Sequence, residues 1–302
     1  VPEYAEQSVT VQCVLYNNDV GAIERALESL NRCAELAVPE GAVWPMQVAY
    51  GDASRRPLLD TDVLEAWAER FPSLRIRYEW FGRNTGSALG HNLIAEHLDT
   101  DLVLIMNPDV VLAPRALGFL IRSLDDPLVG MAEAKQLPIE HPKDYDPVTG
   151  ETMWATTACA LIPRDLFVEL GGFDSDTFFM YCDDVDFSWR VRLAGRLVVF
   201  QPAATVFHDK RLGDDGQWQP TSAEQYYSAE AGLLLAHKWS RDDLVEKIAG
   251  YFRSSKDETL LRAVAEYERR RLAGLLAPQV DSDHVVGVFT PTNEYAKHRY
   301  LL

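Results

Sequence analysis

The sequence predicts an α/β body, a mostly parallel sheet flanked by helices, with a helical appendage at its C-terminal end. Three observations predict it. Short β-rich runs alternate with segments of helical spacing over the first half. One run, Leu102–Met106, is apolar at every position, as in a strand covered on both faces of a parallel sheet. Beyond about Asp214 strand-like runs give way to amphipathic helical stretches. With 302 residues, 47% hydrophobic and 25% charged, the chain has enough apolar material for a sizeable core, which excludes a disordered, collagenous or coiled-coil protein.

Residues 9–16, VTVQCVLY, form a β-rich run that stops at Asn17-Asn18-Asp19, and Ile23, Leu27 and Leu30 then fall at helical spacing. A second strand over 46–50 ends at Gly51-Asp52-Ala53-Ser54, and 63–71 follows as a helix. A third strand over 74–80 runs into the glycine-bearing loop Phe81-Gly82-Arg83-Asn84-Thr85-Gly86, after which Leu89, Leu93, Ile94 and Leu98 mark the next helix. Leu102–Met106 is the fourth strand and breaks at Asn107-Pro108-Asp109. Residues 136–151 read as a Pro-bearing loop, 153–162 as a strand, and 164–170 as a short helix closed by Gly171-Gly172. A helix from about Asp184 carries Val185, Trp189 and Leu193 and stops at Gly195; short strands over 197–200 and 205–207 follow. Three helices over 223–239, 242–252 and 258–276 complete a division into an α/β unit, 1–213, and a helical region, 214–302.

Lys and Arg number 29 against 46 Asp and Glu, a net charge of −17. An acidic chain without a basic run is repelled by nucleic-acid phosphates, so no nucleic-acid partner is expected. The four cysteines are widely spaced with no CxxC pair, which fits a reduced, cytoplasmic setting better than a disulfide framework. No run approaches the roughly 20 apolar residues of a membrane span.

Ligands of open α/β sheets collect beyond the carboxyl ends of the strands, so the loops there hold the candidate chemistry. Asp109 sits where a buried strand delivers its first polar side chains, and an oxygen ligand in that place suits a divalent cation sharing the oxygens of a diphosphate; the local alternative is a plain Asn-Pro-Asp turn. Asp183, Asp184 and Asp186 crowd the start of a helix. Acids there are favoured by the helix dipole and by capping, yet three exceed what a cap requires, and one directed into a cleft is a candidate general base. His208 ends the short strand Ala204-Thr205-Val206-Phe207, where an imidazole with a carboxylate suits Mn²⁺ or a similar ion and the plain alternative is a hydrogen-bonding loop residue; Lys210 beyond it either meets phosphate charge or is simply solvated.

The blocks VLYNN, GDAS, RNTGSALGHN, LVLIMNPDVVLAP, GGFDSDTFFMYCDDVDFSWRVRLAG and PAATVFHDK occur in that order. In this order they resemble family 2 glycosyltransferases of the GT-A fold, and most of all the rhamnosyltransferase-like branch, in which NPDV replaces the usual DxD. The resemblance covers residues 9–210. It implies a sugar transfer with inversion from a nucleoside-diphosphate sugar to a hydroxyl of a saccharide or lipid-linked saccharide, assisted by Mn²⁺ or Mg²⁺, at the inner membrane face or in the cytoplasm. It implies Asp109 and His208 as metal ligands, with Asn107 in the position of the first acid. It implies Asp184 as the base, with Asp183 beside it, and Trp154 with residues 155–158 facing donor sugar and acceptor; a Trp in a strand is also a ready core residue. Tyr16, Asn17, Asp52, Arg83 and Asn84 fall on the loops that surround the nucleotide in that family. One departure stands out: the common Asp-Asn-x-Ser is Gly51-Asp52-Ala53-Ser54 here, so the usual base-contacting acid is missing or moved by one and the motif does not set the nucleotide preference. The helical region 214–302 would serve acceptor selection or formation of a homodimer, with Tyr226, Tyr227, His237 and Trp239 as residues that reach the cleft or pack the core.

Two other classes share these residues. A sugar-nucleotide hydrolase would admit water in place of an acceptor, and a non-catalytic sugar-nucleotide-binding protein would tolerate the charge-poor Asn107. A dinucleotide dehydrogenase is disfavoured because no GxGxxG follows the first strand.

Overall fold

The computed structural model describes residues 7–37, 46–141, 143–208 and 219–290. Its elements run β1 (Val9–Leu15), α1 (Val20–Ala37), β2 (Met46–Asp52), α2 (Thr61–Arg70), β3 (Arg75–Trp80), α3 (Gly86–Ala95), β4 (Leu102–Met106), β5 (Val110–Leu112) and α4 (Ala116–Ser123). They continue with β6 (Val129–Leu137), β7 (Cys159–Pro163), α5 (Arg164–Glu169), α6 (Asp183–Leu193), β8 (Leu197–His208), α7 (Ser222–Lys238), α8 (Asp242–Ser255) and α9 (Glu258–Leu272).

One eight-stranded sheet carries the order β3-β2-β1-β4-β7-β6-β8-β5. The first four strands are mutually parallel, and Leu15, Asp52 and Trp80 stand side by side in register, so three strands end at one edge. β7 then runs antiparallel to β4 and β6, while β8 lies parallel to β6 and antiparallel to β5. The sheet is thus mixed, with four parallel pairings and three antiparallel ones.

β4 shows why its sequence lacks alternation. Leu102, Leu104 and Met106 enter the core beneath α1 and α4, whereas Val103 and Ile105 enter the core formed with Phe167, Phe173, Phe187 and Val191 on the opposite face. A third core joins the α/β body to the C-terminal helices: Phe178, Cys182, Val185 and Trp189 around α6 pack with Leu233, Leu234 and Trp239 of α7, Leu244 and Phe252 of α8 and Tyr267 of α9. The rings of Trp189 and Trp239 meet edge to face at 5.0 Å. Asp186, fully buried, accepts from Trp239 Nε1 (3.1 Å), from Arg190 Nε (2.8 Å) and from Lys238 Nζ (2.7 Å), so one carboxylate binds α6 to the end of α7.

Three strand readings are corrected. The strand expected over 153–162 is confined to Cys159–Pro163, because the chain before it is turned toward α6 and the end of β4. The two short strands over 197–200 and 205–207 are one strand, β8, whose register against β6 shifts between Gln201 and Thr205; Pro202, which has no N–H to give, lies in that shift. β6, with Ala, Glu and Lys through its middle, has little β propensity and gives no strand signal in the sequence; its pairing with β7 and β8 creates it.

Candidate active site

The site is built at the edge where β1 to β4 end. β4 stops at Met106, and Asn107 N donates to Ala158 O (3.0 Å), which turns Asn107-Pro108-Asp109 out of the sheet. β5 then pairs antiparallel with β8, with Val110 opposite His208, so the far end of β8 is delivered beside Asp109. His208 Nε2 lies 3.6 Å from Asp109 Oδ1 and 3.3 Å from Asn107 Nδ2, and His208 Nδ1 lies 2.8 Å from Gln136 Oε1. Asp109 and His208, about a hundred residues apart in sequence, are therefore within reach of one ion. Among the described residues no three His, Cys, Asp or Glu side chains gather to hold a metal, and the side chain that Asn107 brings beside His208 is an uncharged amide.

The acids of α6 differ in environment. Tyr181 and Cys182 both adopt left-handed backbone, with φ of 65° and 56°, a sharp turn that aims the first residues of α6. Asp183, 4% exposed, receives the Ser87 hydroxyl on one side, and its Oδ2 has no hydrogen-bond partner among the described residues. Burial, reinforced by the neighbouring Asp184 charge, pushes its pKa up to about 7. Asp184 is half-buried, with Oδ1 receiving Val185 N (2.8 Å).

Two contacts set the helix where it is. Gly86, at φ 69°, opens α3 so closely under Phe179 that a Cβ there would overlap the Phe179 carbonyl oxygen, and Ser87 N donates to that same oxygen (2.9 Å). Residues 154–158 bridge the acids and the Asp109–His208 pair. Ala155 N donates to Ser188 Oγ (3.0 Å), Ser188 Oγ donates to Asp184 O (2.7 Å), and the next residue, Thr156, receives Gln136 Nε2 (2.8 Å), whose other end meets His208.

The loop residues fall on the same edge but not all in an open posture. Tyr16 is 48% exposed, and Asn17, Arg83 and Asn84 are exposed. Asp52 is a correction: it is fully buried, and its carboxylate receives Ser54 N (2.9 Å), Leu58 N (2.8 Å) and Tyr78 OH (2.5 Å), so it shapes the loop after β2 instead of facing a ligand. Gly51 explains the altered motif beside it, since a Cβ there would enter the ring of Phe81. Trp154 is likewise turned inward, 3% exposed, with Lys143 Nζ 4.2 Å above its ring; it offers no sugar a face. Lys210 lies outside the described residues.

No family model matches the chain. It is 26% identical, over an alignment of 193 positions that covers 48% of this chain, to the N-acetylglucosaminyl-diphospho-decaprenol L-rhamnosyltransferase of Mycobacterium tuberculosis, in strain CDC 1551 / Oshkosh and in strain ATCC 25618 / H37Rv. The match spans 62% of those relatives, less than two thirds of their length. Among solved structures it is similar to the mannosyltransferase PcManGT of Pyrobaculum calidifontis in complex with GDP-Man and Mn²⁺ (TM-score 0.55, 17% identity, 89% of this chain and 81% of that one). It is also similar to GalNAc-T7 with UDP, GalNAc and Mn²⁺ (TM-score 0.63, 12% identity, 90% and 56%) and to TarS 1-349 of S. aureus (TM-score 0.52, 13% identity, 88% and 72%). The chain has the GT-A fold and is rhamnosyltransferase-like in sequence.

Three residues beside the candidate site carry no local signal in the sequence. Gln136 lies on β6, which has no strand signature, and only its pairing with β8 carries it to His208. Ser87 reads as an ordinary first-turn residue of α3, yet it meets Asp183. Trp80, 44% exposed, is in the sequence simply the last residue of β3; its Nε1 donates to Ser54 O (2.9 Å), which stands it beside the loop after β2.

Proposed function

We propose that this chain is an inverting family 2 glycosyltransferase that moves a sugar from a nucleoside-diphosphate donor to a hydroxyl of a saccharide, free or lipid-linked. The observation that carries the reading is the joining, through residues 154–158, of the Asp183–Asp184 pair to Asp109 and His208 at the carboxyl edge of the parallel strands. Similarity to an enzyme named for a decaprenol-linked substrate supports a lipid-linked acceptor, and the GDP-Man of one structural neighbour, the UDP of another and the Mn²⁺ named with both support the donor class and the ion. Among the described residues no helix is long and apolar enough to cross a membrane.

The donor set at Asp109 and His208, one carboxylate and one imidazole 3.6 Å apart, fits Mn²⁺ or Mg²⁺ held jointly with diphosphate oxygens. When bound, the ion supplies positive charge against the negative charge growing on the departing nucleoside diphosphate. Asp184, half-buried at the positive end of α6, takes the acceptor proton as the hydroxyl attacks the anomeric carbon from the face opposite the leaving group. The transition state is oxocarbenium-like, and no acid is needed because the diphosphate leaves unprotonated. Asp183 holds its proton up to about pH 7, so two like charges do not face each other below that pH. Tyr16, Asn17, Arg83 and Asn84 border the nucleotide. The region 214–302 selects the acceptor: Tyr227 of α7 is stacked on Phe179 (4.6 Å between ring centres) in the turn that leads to Asp184.

The test is product analysis with UDP-, dTDP- and GDP-sugars, Mn²⁺ and a polyprenyl-diphosphate saccharide or a soluble saccharide. A new glycoside of inverted anomeric configuration, formed only with acceptor, is the expected result. Free sugar released at the same rate without acceptor would identify a hydrolase. Nucleotide binding without turnover of any acceptor would move the assignment to the non-catalytic reading, which Asn107 favours and the retained Asp109, His208 and Asp184 oppose.

A further inference from the structure

A chain of buried polar groups runs inward from His208 and has one direction. Glu133 and Lys143, with side chains 0% and 3% exposed, form an ion pair in the interior. Lys143 takes Glu133 Oε2, and the Thr156 hydroxyl donates to Glu133 Oε1 at 3.0 Å. Having spent its only proton there, Thr156 Oγ1 can meet Gln136 only as an acceptor, and Gln136 Nε2 donates to it at 2.8 Å. The amide is thereby oriented: its oxygen, Oε1, faces His208 Nδ1 at 2.8 Å. An oxygen opposite Nδ1 requires the proton on Nδ1, and in the neutral imidazole Nε2 then carries the lone pair, directed toward Asn107 and Asp109.

We propose that Glu133, Thr156 and Gln136 are positioning residues that fix the Nδ1–H tautomer of His208 and so present Nε2 to a divalent cation. The inference rests on the metal reading of the preceding section for its consequence, but the tautomer is a property of the metal-free protein. Outer partners of this kind set both the ring orientation and the basicity of an imidazole ligand, and their loss typically weakens metal binding about 10- to 100-fold. The arrangement also gives a purpose to an ion pair that is expensive to bury and that touches no part of the proposed chemistry. Gln136 is 1% exposed and Thr156 4%, so solvent does not replace either link.

The experiment has two readouts on the full chain. First, ¹⁵N NMR of the imidazole nitrogens in the metal-free protein, with His208→Gln to assign the signals, reports which nitrogen carries the proton. Second, titration of Mn²⁺ in the presence of UDP, followed by the electron paramagnetic resonance of free Mn²⁺, reports affinity. Expected are an Nδ1–H tautomer in the parent chain, its loss in Gln136→Leu and Thr156→Val with about 10- to 100-fold weaker Mn²⁺ binding, and retention of both in Thr156→Ser, which keeps the hydroxyl. Should Gln136→Leu fail to fold, the parent spectrum and the Thr156 pair still decide. An Nε2–H tautomer in the parent chain, or Thr156→Val with unchanged tautomer, overturns the proposal. An Nδ1–H tautomer in a chain that takes up no Mn²⁺ upholds the relay and overturns the metal reading instead.

Discussion

Asp183→Asn is expected to make this protein more stable and, at the same time, less active. Asp183 is buried, one of its oxygens has no partner among the described residues, and Asp184 stands next to it. These surroundings raise its pKa from 3.8 to about 7. A raised carboxylate pKa means that the folded chain holds a proton the unfolded chain has released. Stability from this group is therefore greatest below about pH 4 and is lost as pH rises to about 7; above that both states are ionised and the whole cost persists. The shift of roughly three pH units corresponds to about 4 kcal/mol, an upper limit because Asn also gives up the favourable position of a charge at the α6 N-terminus. For a chain of this size that is at most about 10 °C in melting temperature. Urea denaturation of both chains from pH 4 to 8.5 should show near-equal stability at pH 4, a gap widening in favour of Asp183→Asn up to about pH 7, and a constant gap above. A variant less stable than the parent at pH 8, or a gap independent of pH, would refute the view that Asp183 is an uncompensated buried acid.

The other expectations concern the proposed reaction and the contacts that frame it. Asp184→Asn should lower transfer by at least about 10²-fold with little change in donor affinity, since general-base assistance is worth roughly 10²–10⁴-fold; full activity in that variant removes the base assignment. A thermal-shift screen of UDP, dTDP, GDP and CDP should show one nucleotide raising the melting temperature only with Mn²⁺ or Mg²⁺, by about 2.7 kcal/mol equivalent at a hundredfold excess over Kd. EDTA should abolish that shift, and Asp109→Ala or His208→Ala should reduce it; a shift indifferent to chelation ends the metal assignment. Gly86→Ala forces a side chain into left-handed backbone against the Phe179 carbonyl and should cost about 2–4 kcal/mol, with the turn before Asp184 displaced. Calorimetry showing an unperturbed Gly86→Ala protein would mean that α3 does not hold that turn.

Much of the fold was legible because its strongest signals are local. An unbroken apolar run, Leu102–Met106, followed by Asn-Pro-Asp can be little other than a doubly covered strand with a turn, and it is β4. The helices beyond residue 222 kept their expected positions because amphipathic spacing and caps, such as the Thr221–Glu224 capping box, belong to single segments. The sites legible as motifs, Asp109, Asp183, Asp184 and His208, all stand at strand or helix ends for the same reason. Where the reading failed, the deciding partner was distant. Asp52 stands at the carboxyl end of its strand as a ligand residue would, but Tyr78, on the next strand, donates to its carboxylate, and Trp154 faces inward because Lys143 and the C-terminal helices cover it.

The sequence by itself determined the alternation of strands and helices, the acidic surface, and which polar side chains stand at the carboxyl edge, since these follow from periodicity, composition and turn chemistry over neighbouring residues. Only the tertiary structure decided that His208 meets Asp109, that Gln136 orients the imidazole, and that Asp183 is buried while Asp184 is not. Those outcomes depend on the pairing of β5 with β8 and of β6 with both its neighbours, contacts between residues far apart in sequence, whose register no local pattern encodes.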